Sequence, residues 1–225
     1  FNPTWSMEDS SMSEDLFSED EIKEDICKVI AALYRRGLIS ATGGNVSARI
    51  PGANEFWITP SGIFKGELSV DDLVKVDMEG NVVEGFEKPS VETPMHRAIY
   101  KKRLDVNAIV HAHNPAATGL ALAGIPIQPI TIEAALTLRK VHVVPFVFPG
   151  TEDLAKAVTE HIADARALIL QNHGVIGVGF NLVEAETVVE TLEEVAMTEW
   201  VAYHFGKPPL IPERDIELLK KLYKI

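Results

Sequence analysis

The stretch Ala108-Ile109-Val110-His111-Ala112-His113 joins an apolar run to two histidines that are spaced two residues apart. A short apolar run of this kind favours a buried β-strand. Because side chains alternate along a strand, the imidazoles of His111 and His113 would leave the same face, where they could chelate one divalent cation. The pair alone does not decide between a metal site and two strand-end histidines with ordinary hydrogen bonds.

Outward from this stretch, helical and strand patterns alternate along the chain. Apolar residues at helical spacing predict long helices over 19–36 and 182–205, and turn residues separate the shorter apolar runs between them. The patterns predict further helices over 89–103, 115–123 and 151–165, and strands over 45–50, 56–59, 73–77, 141–148, 168–171 and 175–178. Glu79-Gly80-Asn81 is typical of a hairpin turn. We therefore expect one mixed α/β domain.

The composition is that of an ordinary globular protein. Of the 225 residues, 46% are hydrophobic and 24% are charged, which excludes disordered and collagen-like chains. The net charge of −12 leaves no basic face for nucleic acid, and the apolar runs are too short and too broken to cross a membrane. A single cysteine and the lack of a signal-peptide pattern lead us to expect a cytoplasmic protein that binds neither nucleic acid nor membrane.

The first 18 residues differ in character from the rest of the chain. They are polar, serine-rich and acidic, and they lead into the first predicted helix. We expect a poorly ordered acidic tail over residues 1–18, followed by a single domain over residues 19–225. Met7 and Met12 are both plausible native starts, so part of the tail could be foreign to the natural chain.

Other polar residues stand where a binding site could form. His173 follows an apolar run and precedes Gly174, so the backbone is expected to turn there. Glu92 places a carboxylate at the start of a predicted helix, with His96 one turn later. Taken singly, each has a simpler explanation, because a carboxylate is favourable in a first helical turn and His96 could be a partly exposed helix residue.

Two glycine-containing loops could approach an anion. Thr42-Gly43-Gly44-Asn45 and Thr59-Pro60-Ser61-Gly62 could present backbone N–H groups or hydroxyls to a phosphate. Neither loop matches a Walker loop or a dinucleotide fingerprint, so nucleotide binding is not supported. Each loop taken alone is more often an ordinary turn.

Five segments in collinear order make the sequence similar to the class II aldolase/adducin family, and within it to the fuculose-phosphate aldolase branch. The resemblance runs from about Ile22 to about His204, which is most of the chain. The segments are Gly43-Gly44-Asn45-Val46-Ser47-Ala48-Arg49, Ile58-Thr59-Pro60-Ser61-Gly62, Pro89-Ser90-Val91-Glu92 with His96, Val110-His111-Ala112-His113, and Asn172-His173-Gly174-Val175-Ile176.

The resemblance implies a three-layer α/β/α sandwich around a mainly antiparallel central sheet. It also implies a homotetramer with active sites between neighbouring subunits, and one divalent metal per subunit, with zinc expected and manganese or cobalt also compatible. The implied metal ligands are Glu92, His111, His113 and His173. The implied phosphate-binding residues are Gly44, Asn45, Ser61, Gly62 and Ser90.

The activity that the resemblance implies is reversible cleavage of a ketose 1-phosphate, similar to L-fuculose 1-phosphate, into dihydroxyacetone phosphate and an aldehyde. The reaction would pass through a metal-stabilised enediolate, with Glu92 as the catalytic proton carrier. The chain departs from the family pattern at Val91, where a second serine is usual, and over 128–133, where no tyrosine aligns.

Several rival functions share the implied scaffold. A sugar-phosphate 4-epimerase usually has Asp at the position of Glu92, whereas a methylthioribulose-1-phosphate dehydratase or a sugar-acid phosphate decarboxylase would keep Glu. An adducin-like interaction protein would need no metal, and it is disfavoured because all four metal positions are filled here.

Overall fold

The computed structural model of the protein describes residues 18–138 and 140–224. Residues 1–17 of the predicted acidic tail lie outside the described residues. The strands are β1 (Asn45–Ala48), β2 (Glu55–Ile58), β3 (Val74–Asp77), β4 (Val82–Glu84), β5 (Ala108–Ala112), β6 (Val141–Val144), β7 (Ala167–Leu170) and β8 (Gly174–Gly179). The helices are α1 (Glu19–Arg35), α2 (Thr93–Lys102), α3 (Pro115–Leu122), α4 (Glu152–His161), α5 (Leu182–Tyr203) and α6 (Glu213–Tyr223).

The strands form one sheet in the order β4-β3-β2-β1-β5-β8-β7-β6. All neighbouring pairs are antiparallel except β6 and β7, which run parallel. The expected mainly antiparallel central sheet is therefore confirmed. Strand β5 lies in the middle of the sheet, between β1 and β8, so the histidines at its end have backbone support on both sides.

Two apolar cores cover the two faces of the sheet. Because side chains alternate along a strand, Val110 and Ala112 of β5 face one core and Ile109 faces the other. The first core includes residues of α1, α3 and α5, and the second includes residues of α2 and α4. This arrangement is the expected three-layer α/β/α sandwich. By the same alternation, His111 lies on the face that α2 covers.

The structure shortens several predicted elements and adds others that the sequence patterns missed. The helix predicted over 89–103 begins only at Thr93, the helix predicted over 151–165 ends at His161, and the strand predicted over 45–50 ends at Ala48. The strand predicted over 141–148 ends at Val144, because Pro145 has no N–H to continue the ladder. A π-helical turn over Ala134–Leu138 and the C-terminal helix α6 were not predicted. The hairpin turn at 79–81 is confirmed, since the Asp77 carboxylate accepts hydrogen bonds from the backbone N–H groups of Glu79 and Asn81.

No helix in the described ranges is both long enough and apolar enough to cross a membrane. The longest helix, α5, carries acidic side chains along its length and packs one face on β5 and β8.

Gly177 in β8 allows α5 to pack closely on the sheet. A Cβ at this position would lie 2.6 Å from the Ala185 carbonyl oxygen and 2.7 Å from Cγ2 of Val189. We expect Gly177→Ala to lower the free energy of unfolding by about 1–3 kcal/mol, because the added methyl overpacks this contact. Urea denaturation measures the difference.

Gly119 provides the matched control for that substitution. It is an exposed residue inside α3, and a Cβ there would meet no atom within 4 Å. Gly119→Ala is expected to leave stability unchanged or raise it by up to about 1 kcal/mol, since alanine favours the helix. Equal unfolding curves for the two variants would contradict the packing described here.

Candidate metal centre

Three histidines and one glutamate converge at the end of the central strands. His111 is in β5, His113 lies just beyond that strand, His173 is in the turn between β7 and β8, and Glu92 is the residue before α2. One ring nitrogen from each histidine lies within 4.8 Å of the others. The structure therefore brings together the four residues that the sequence singled out as metal ligands.

The strand register and a tight turn place these side chains. His111 is paired with Asn45 of β1 and with Ile176 of β8. The pair Leu170 and Gly174 closes a three-residue turn that presents His173. Asn172 in this turn has a φ of 63°, a left-handed conformation that asparagine tolerates better than most residues.

Two glycines make room for His113. A Cβ at Gly43 would lie 2.7 Å from Cε1 of the His113 ring. A Cβ at Gly174 would overlap the Ala112 carbonyl oxygen and lie 3.1 Å from Cδ2 of His113. A side chain at Gly43 would crowd the imidazole, and one at Gly174 would clash first with the Ala112 backbone, so both glycines leave space beside His113.

Glu92 stands against the histidines with a nearly buried carboxylate, 4% exposed. Its Oε2 lies 3.1 Å from Nε2 of His111, and its Oε1 lies 3.6 Å from Nε2 of His173. The Nδ1–H of His111 donates to the Val175 carbonyl at 2.9 Å, so Nε2 is the ring nitrogen left for a metal. This Nε2 and a carboxylate oxygen of Glu92 face each other.

This set of atoms fits a metal cation. Within the described residues, two buried atoms that face into the cluster have no hydrogen-bond partner: Nε2 of His111 and Oε1 of Glu92. Unpaired buried polar atoms are costly, and a cation among them would satisfy their lone pairs. Three imidazoles with one carboxylate form a ligand set that suits zinc and its neighbours among divalent metals.

The electrostatics keep the imidazoles available as electron-pair donors. Burial, together with the neighbouring His111 and His173, lowers the pKa of His113 to about 4. Burial and His111 lower the pKa of His173 as well. Burial acts to raise the pKa of Glu92, but the nearby histidines and the Asn45 amide outweigh it, so the pKa lies below its usual value. Burial therefore favours the neutral, metal-binding form of His113 and His173.

The predicted phosphate-binding residues lie on loops that are tied to each other beside this cluster. The Ser61 N–H donates to the Lys88 carbonyl at 2.8 Å, and the Ser90 N–H donates to the Thr59 carbonyl at 3.2 Å. Ser61 and Ser90 therefore lie on adjacent loops. Gly44 and Gly62 both adopt left-handed φ values, 71° and 74°, which few other residues adopt without strain.

Lys65 lies beneath the loop that carries Ser61 and Gly62, and sequence reasoning missed it. Its side chain is 1% exposed, and its ammonium donates to the carbonyls of Pro60 at 2.5 Å and Ile63 at 3.1 Å. In the described part of the chain, no carboxylate forms an ion pair with it. The loop thus wraps around a buried positive charge.

Asn45 was predicted to bind phosphate, but its side chain is bonded to Glu92 and His96. Its amide nitrogen donates to Oε2 of Glu92 at 2.8 Å, and its amide oxygen meets Nε2 of His96 at 2.5 Å. The side chain is therefore occupied by the residues around Glu92, and a phosphate could meet only its backbone.

His96 is fully buried, so the expectation of a partly exposed helix residue is wrong. Its ring bonds to Asn45 and, through Nδ1, to the Ser47 hydroxyl at 2.7 Å. The sequence holds a signal for this cluster: Glu92, His96 and Tyr100 repeat at helical spacing, and Asn45 and Ser47 alternate on a strand. Only the helix–sheet contact shows that the two patterns face each other.

Comparison with known proteins places these observations in a family. Residues 24–200 match the model of the Class II Aldolase and Adducin N-terminal domain. The chain is 35% identical over 202 residues to the 5-deoxy-D-ribulose 1-phosphate aldolase of Bacillus thuringiensis serovar kurstaki, an alignment that covers 90% of this chain and 95% of the relative. The resemblance drawn from the five motifs is confirmed.

Two further relatives show how far the similarity extends. A solved structure named L-fuculose 1-phosphate aldolase superposes with a TM-score of 0.86 at 35% identity, covering 93% of this chain and 98% of that chain. The 3-oxo-tetronate 4-phosphate decarboxylase of Haemophilus influenzae is 35% identical over 179 residues, covering 77% of this chain and 84% of the relative. The expected fold and the expectation of an enzyme of this family are thereby confirmed.

We expect His113→Ala to weaken metal binding without unfolding the protein, because it removes one of three imidazoles from a site at the surface end of the sheet. Metal content per chain, measured by mass spectrometry after equilibration with zinc, should fall sharply. The control is His142→Ala, which removes a partly exposed histidine outside the cluster and should retain the metal. Equal metal content in the two variants would show that the cluster does not hold the ion.

Proposed function

We propose that this chain, which belongs to the class II aldolase and adducin family, reversibly cleaves a ketose 1-phosphate into dihydroxyacetone phosphate and an aldehyde. The substrate would resemble L-fuculose 1-phosphate. The observation that carries the proposal is the buried Glu92 carboxylate set against three histidines whose cluster holds ligand atoms without partners. The loops of Ser61 and Ser90, tied together beside this cluster, support a phosphorylated substrate.

The substrates named for the relatives share one chemical fragment. L-Fuculose 1-phosphate and 5-deoxy-D-ribulose 1-phosphate both carry a phosphate on C1, a ketone at C2 and a hydroxyl at C3. 3-Oxo-tetronate 4-phosphate presents the same phosphomethyl ketone next to a hydroxyl-bearing carbon, which here carries a carboxylate. Loss of an aldehyde from the first two, or of carbon dioxide from the third, leaves dihydroxyacetone phosphate. An enzyme acting on any of these three substrates therefore needs a site that binds this fragment.

The residues of the cluster suit that cleavage. In the cleavage direction, the C4 hydroxyl loses a proton, the C3–C4 bond breaks, and C3 takes up a proton. The three histidines and Glu92 would hold a divalent cation, which would act as a Lewis acid toward the ketone oxygen. Glu92 is the carboxylate placed to carry the proton that C3 takes up. We propose zinc as the metal because imidazole-rich sites favour it, although manganese or cobalt would also suit these ligands.

The phosphate would bind at the linked loops. Gly44, Asn45, Ser61, Gly62 and Ser90 are the proposed contacts, with Asn45 acting through its backbone. In the described ranges the Gly62 N–H donates to no backbone acceptor, and the ammonium of Lys65 lies below with no carboxylate to neutralise it. The Gly62 N–H over a buried positive charge favours an anion. Binding energy from the phosphate would then orient the ketone at the cluster.

We also propose a cytoplasmic homotetramer with active sites between neighbouring subunits, in which residues 19–225 form a single domain. Large apolar side chains are exposed on the described chain, with Phe148 at 71% and Phe205 at 89%. The exposed rings of Phe146 and Phe148 also contact each other, with centroids 5.4 Å apart, and an apolar cluster of this kind supports burial against another copy. Phe146 and Trp200 are also at least half exposed.

Decarboxylation of a sugar-acid phosphate is the second candidate, and the 35% identity to the decarboxylase from Haemophilus influenzae favours it over epimerisation or dehydration. It requires the same metal, the same carboxylate and the same phosphate site. The epimerase is less favoured because this chain has Glu92 where that branch usually has Asp. A methylthioribulose-1-phosphate dehydratase would keep the glutamate but would eliminate water instead of breaking a carbon–carbon bond.

We expect zinc-loaded protein to release dihydroxyacetone phosphate from L-fuculose 1-phosphate and 5-deoxy-D-ribulose 1-phosphate, together with one equivalent of aldehyde. Removing the metal with a chelator should lower the rate by about 100-fold or more, and zinc should restore it. The coproduct discriminates the candidates, so 3-oxo-tetronate 4-phosphate is assayed in parallel for carbon dioxide. Release only from that acid would replace the aldolase proposal with the decarboxylase.

Glu92→Gln tests the proposed proton carrier. The amide cannot take up and deliver the proton, so kcat should fall by about 100-fold or more, whereas the three imidazoles should still retain much of the metal. Turnover and metal content are measured on the same preparation. Glu87→Gln, at an exposed residue of the loop after β4, is the matched control. Full activity in Glu92→Gln would remove Glu92 from the reaction.

A further inference from the structure

A row of buried polar side chains runs from the interior of the protein to Glu92, between strand β1 and helix α2. The Tyr100 hydroxyl lies 2.7 Å from Oγ of Ser47, and the same Oγ lies 2.7 Å from Nδ1 of His96. Asn45 then joins His96 to Glu92 through the two contacts described above. Tyr100, Ser47 and His96 are 0% exposed, and Asn45 is 3% exposed, so bulk water does not reach the row.

The direction of every hydrogen bond in this row follows from the orientation of the Asn45 amide. Its NH₂ group donates to Oε2 of Glu92, which turns its oxygen toward Nε2 of His96. That oxygen accepts from Nε2–H of His96, and a neutral imidazole with Nε2–H has a lone pair on Nδ1.

The remaining two bonds are fixed in the same way. The Ser47 hydroxyl must donate to Nδ1 of His96, which leaves its oxygen to accept from the Tyr100 hydroxyl. Burial, together with the neighbouring His111, lowers the pKa of His96 to about 3 despite the opposing charge of Glu92, which agrees with a neutral ring. All four bonds therefore point from Tyr100 toward Glu92.

The far end of the row is held rigidly. The Tyr100 ring packs on Phe56 with centroids 5.1 Å apart, and the guanidinium carbon of Arg49 lies 4.7 Å above the Tyr100 ring. Arg49 in turn donates to the Val106 carbonyl at 2.9 Å. The last hydroxyl of the row is thus anchored between β2 and the loop after α2, and it cannot follow a movement of Glu92.

We propose that Tyr100, Ser47, His96 and Asn45 form a one-directional hydrogen-bond row that positions Glu92 by its Oε2 and leaves Oε1 as the oxygen that serves the reaction. This inference rests on the role proposed for Glu92. Oε2 accepts from Asn45, whereas Oε1 has no hydrogen-bond partner among the described residues. The four are positioning residues, because each acts through the next and the last one acts on Glu92.

The kinetic test disrupts the row at residues that are not proposed metal ligands. Ser47→Ala removes the central hydroxyl and should lower kcat by about 10-fold while KM and zinc content stay unchanged, because Glu92 remains present but is less well held. Tyr100→Phe removes only the outermost donor and should lower kcat by about threefold. Tyr34→Phe, which removes a hydroxyl outside the row, should leave kcat unchanged. An unchanged kcat in both Ser47→Ala and Tyr100→Phe would overturn the proposal.

A second measurement does not depend on turnover. Nitrogen-15 spectra of imidazole-labelled, zinc-loaded protein report which ring nitrogen of His96 carries the proton, and His96→Gln identifies the signals. The row requires Nε2–H, with Nδ1 unprotonated. A His96 proton on Nδ1 would overturn the proposal even in an active enzyme. An Nε2–H ring in protein that cleaves no ketose phosphate would retain the row and reject the proposed function instead.

Discussion

The Glu92 carboxylate is almost fully buried. A buried negative charge must be compensated by polar or positively charged groups, and the residues around Glu92 provide that compensation. Burial alone would favour the neutral acid, yet nearby histidines and the Asn45 amide lower its pKa below the usual value. The compensation comes from two sides. Asn45 donates to one carboxylate oxygen, and the imidazoles of His111 and His173 face both oxygens with ligand atoms that suit a metal cation.

The sheet places these opposing groups with little freedom. Asn45 and His111 are register partners on adjacent central strands, so the donor to Glu92 and a proposed metal ligand lie side by side. Helix α2 begins directly after Glu92 and brings His96 and Tyr100 onto the same strand face. The α2 side of the sheet therefore carries polar chemistry at one end and the second apolar core over the rest. A shift of one residue in β1 would turn Asn45 and Ser47 to the other face.

Sequence patterns predicted the elements well where apolar residues form a continuous run, as in β5, or recur on one helix face, as in α1. They failed at two places: Pro145 ends β6 early, and the amphipathic α6 was overlooked although its apolar residues recur at helical spacing. The four proposed metal ligands were predictable because they lie in segments that resemble the family in collinear order, whereas each residue taken singly has a simpler explanation. His96 was misjudged and Lys65 missed, since their burial depends on loops and strands that the local pattern does not reveal.

X-ray absorption at the zinc edge tests the central claim most directly, because it reports the atoms around the bound ion in the intact protein. The account predicts a first shell of nitrogen and oxygen at about 2.0–2.1 Å, with outer-shell scattering from three imidazoles that drops to two in His173→Ala. A shell without imidazole scattering, or one that His173→Ala leaves unchanged, would contradict the assignment of the metal to this cluster.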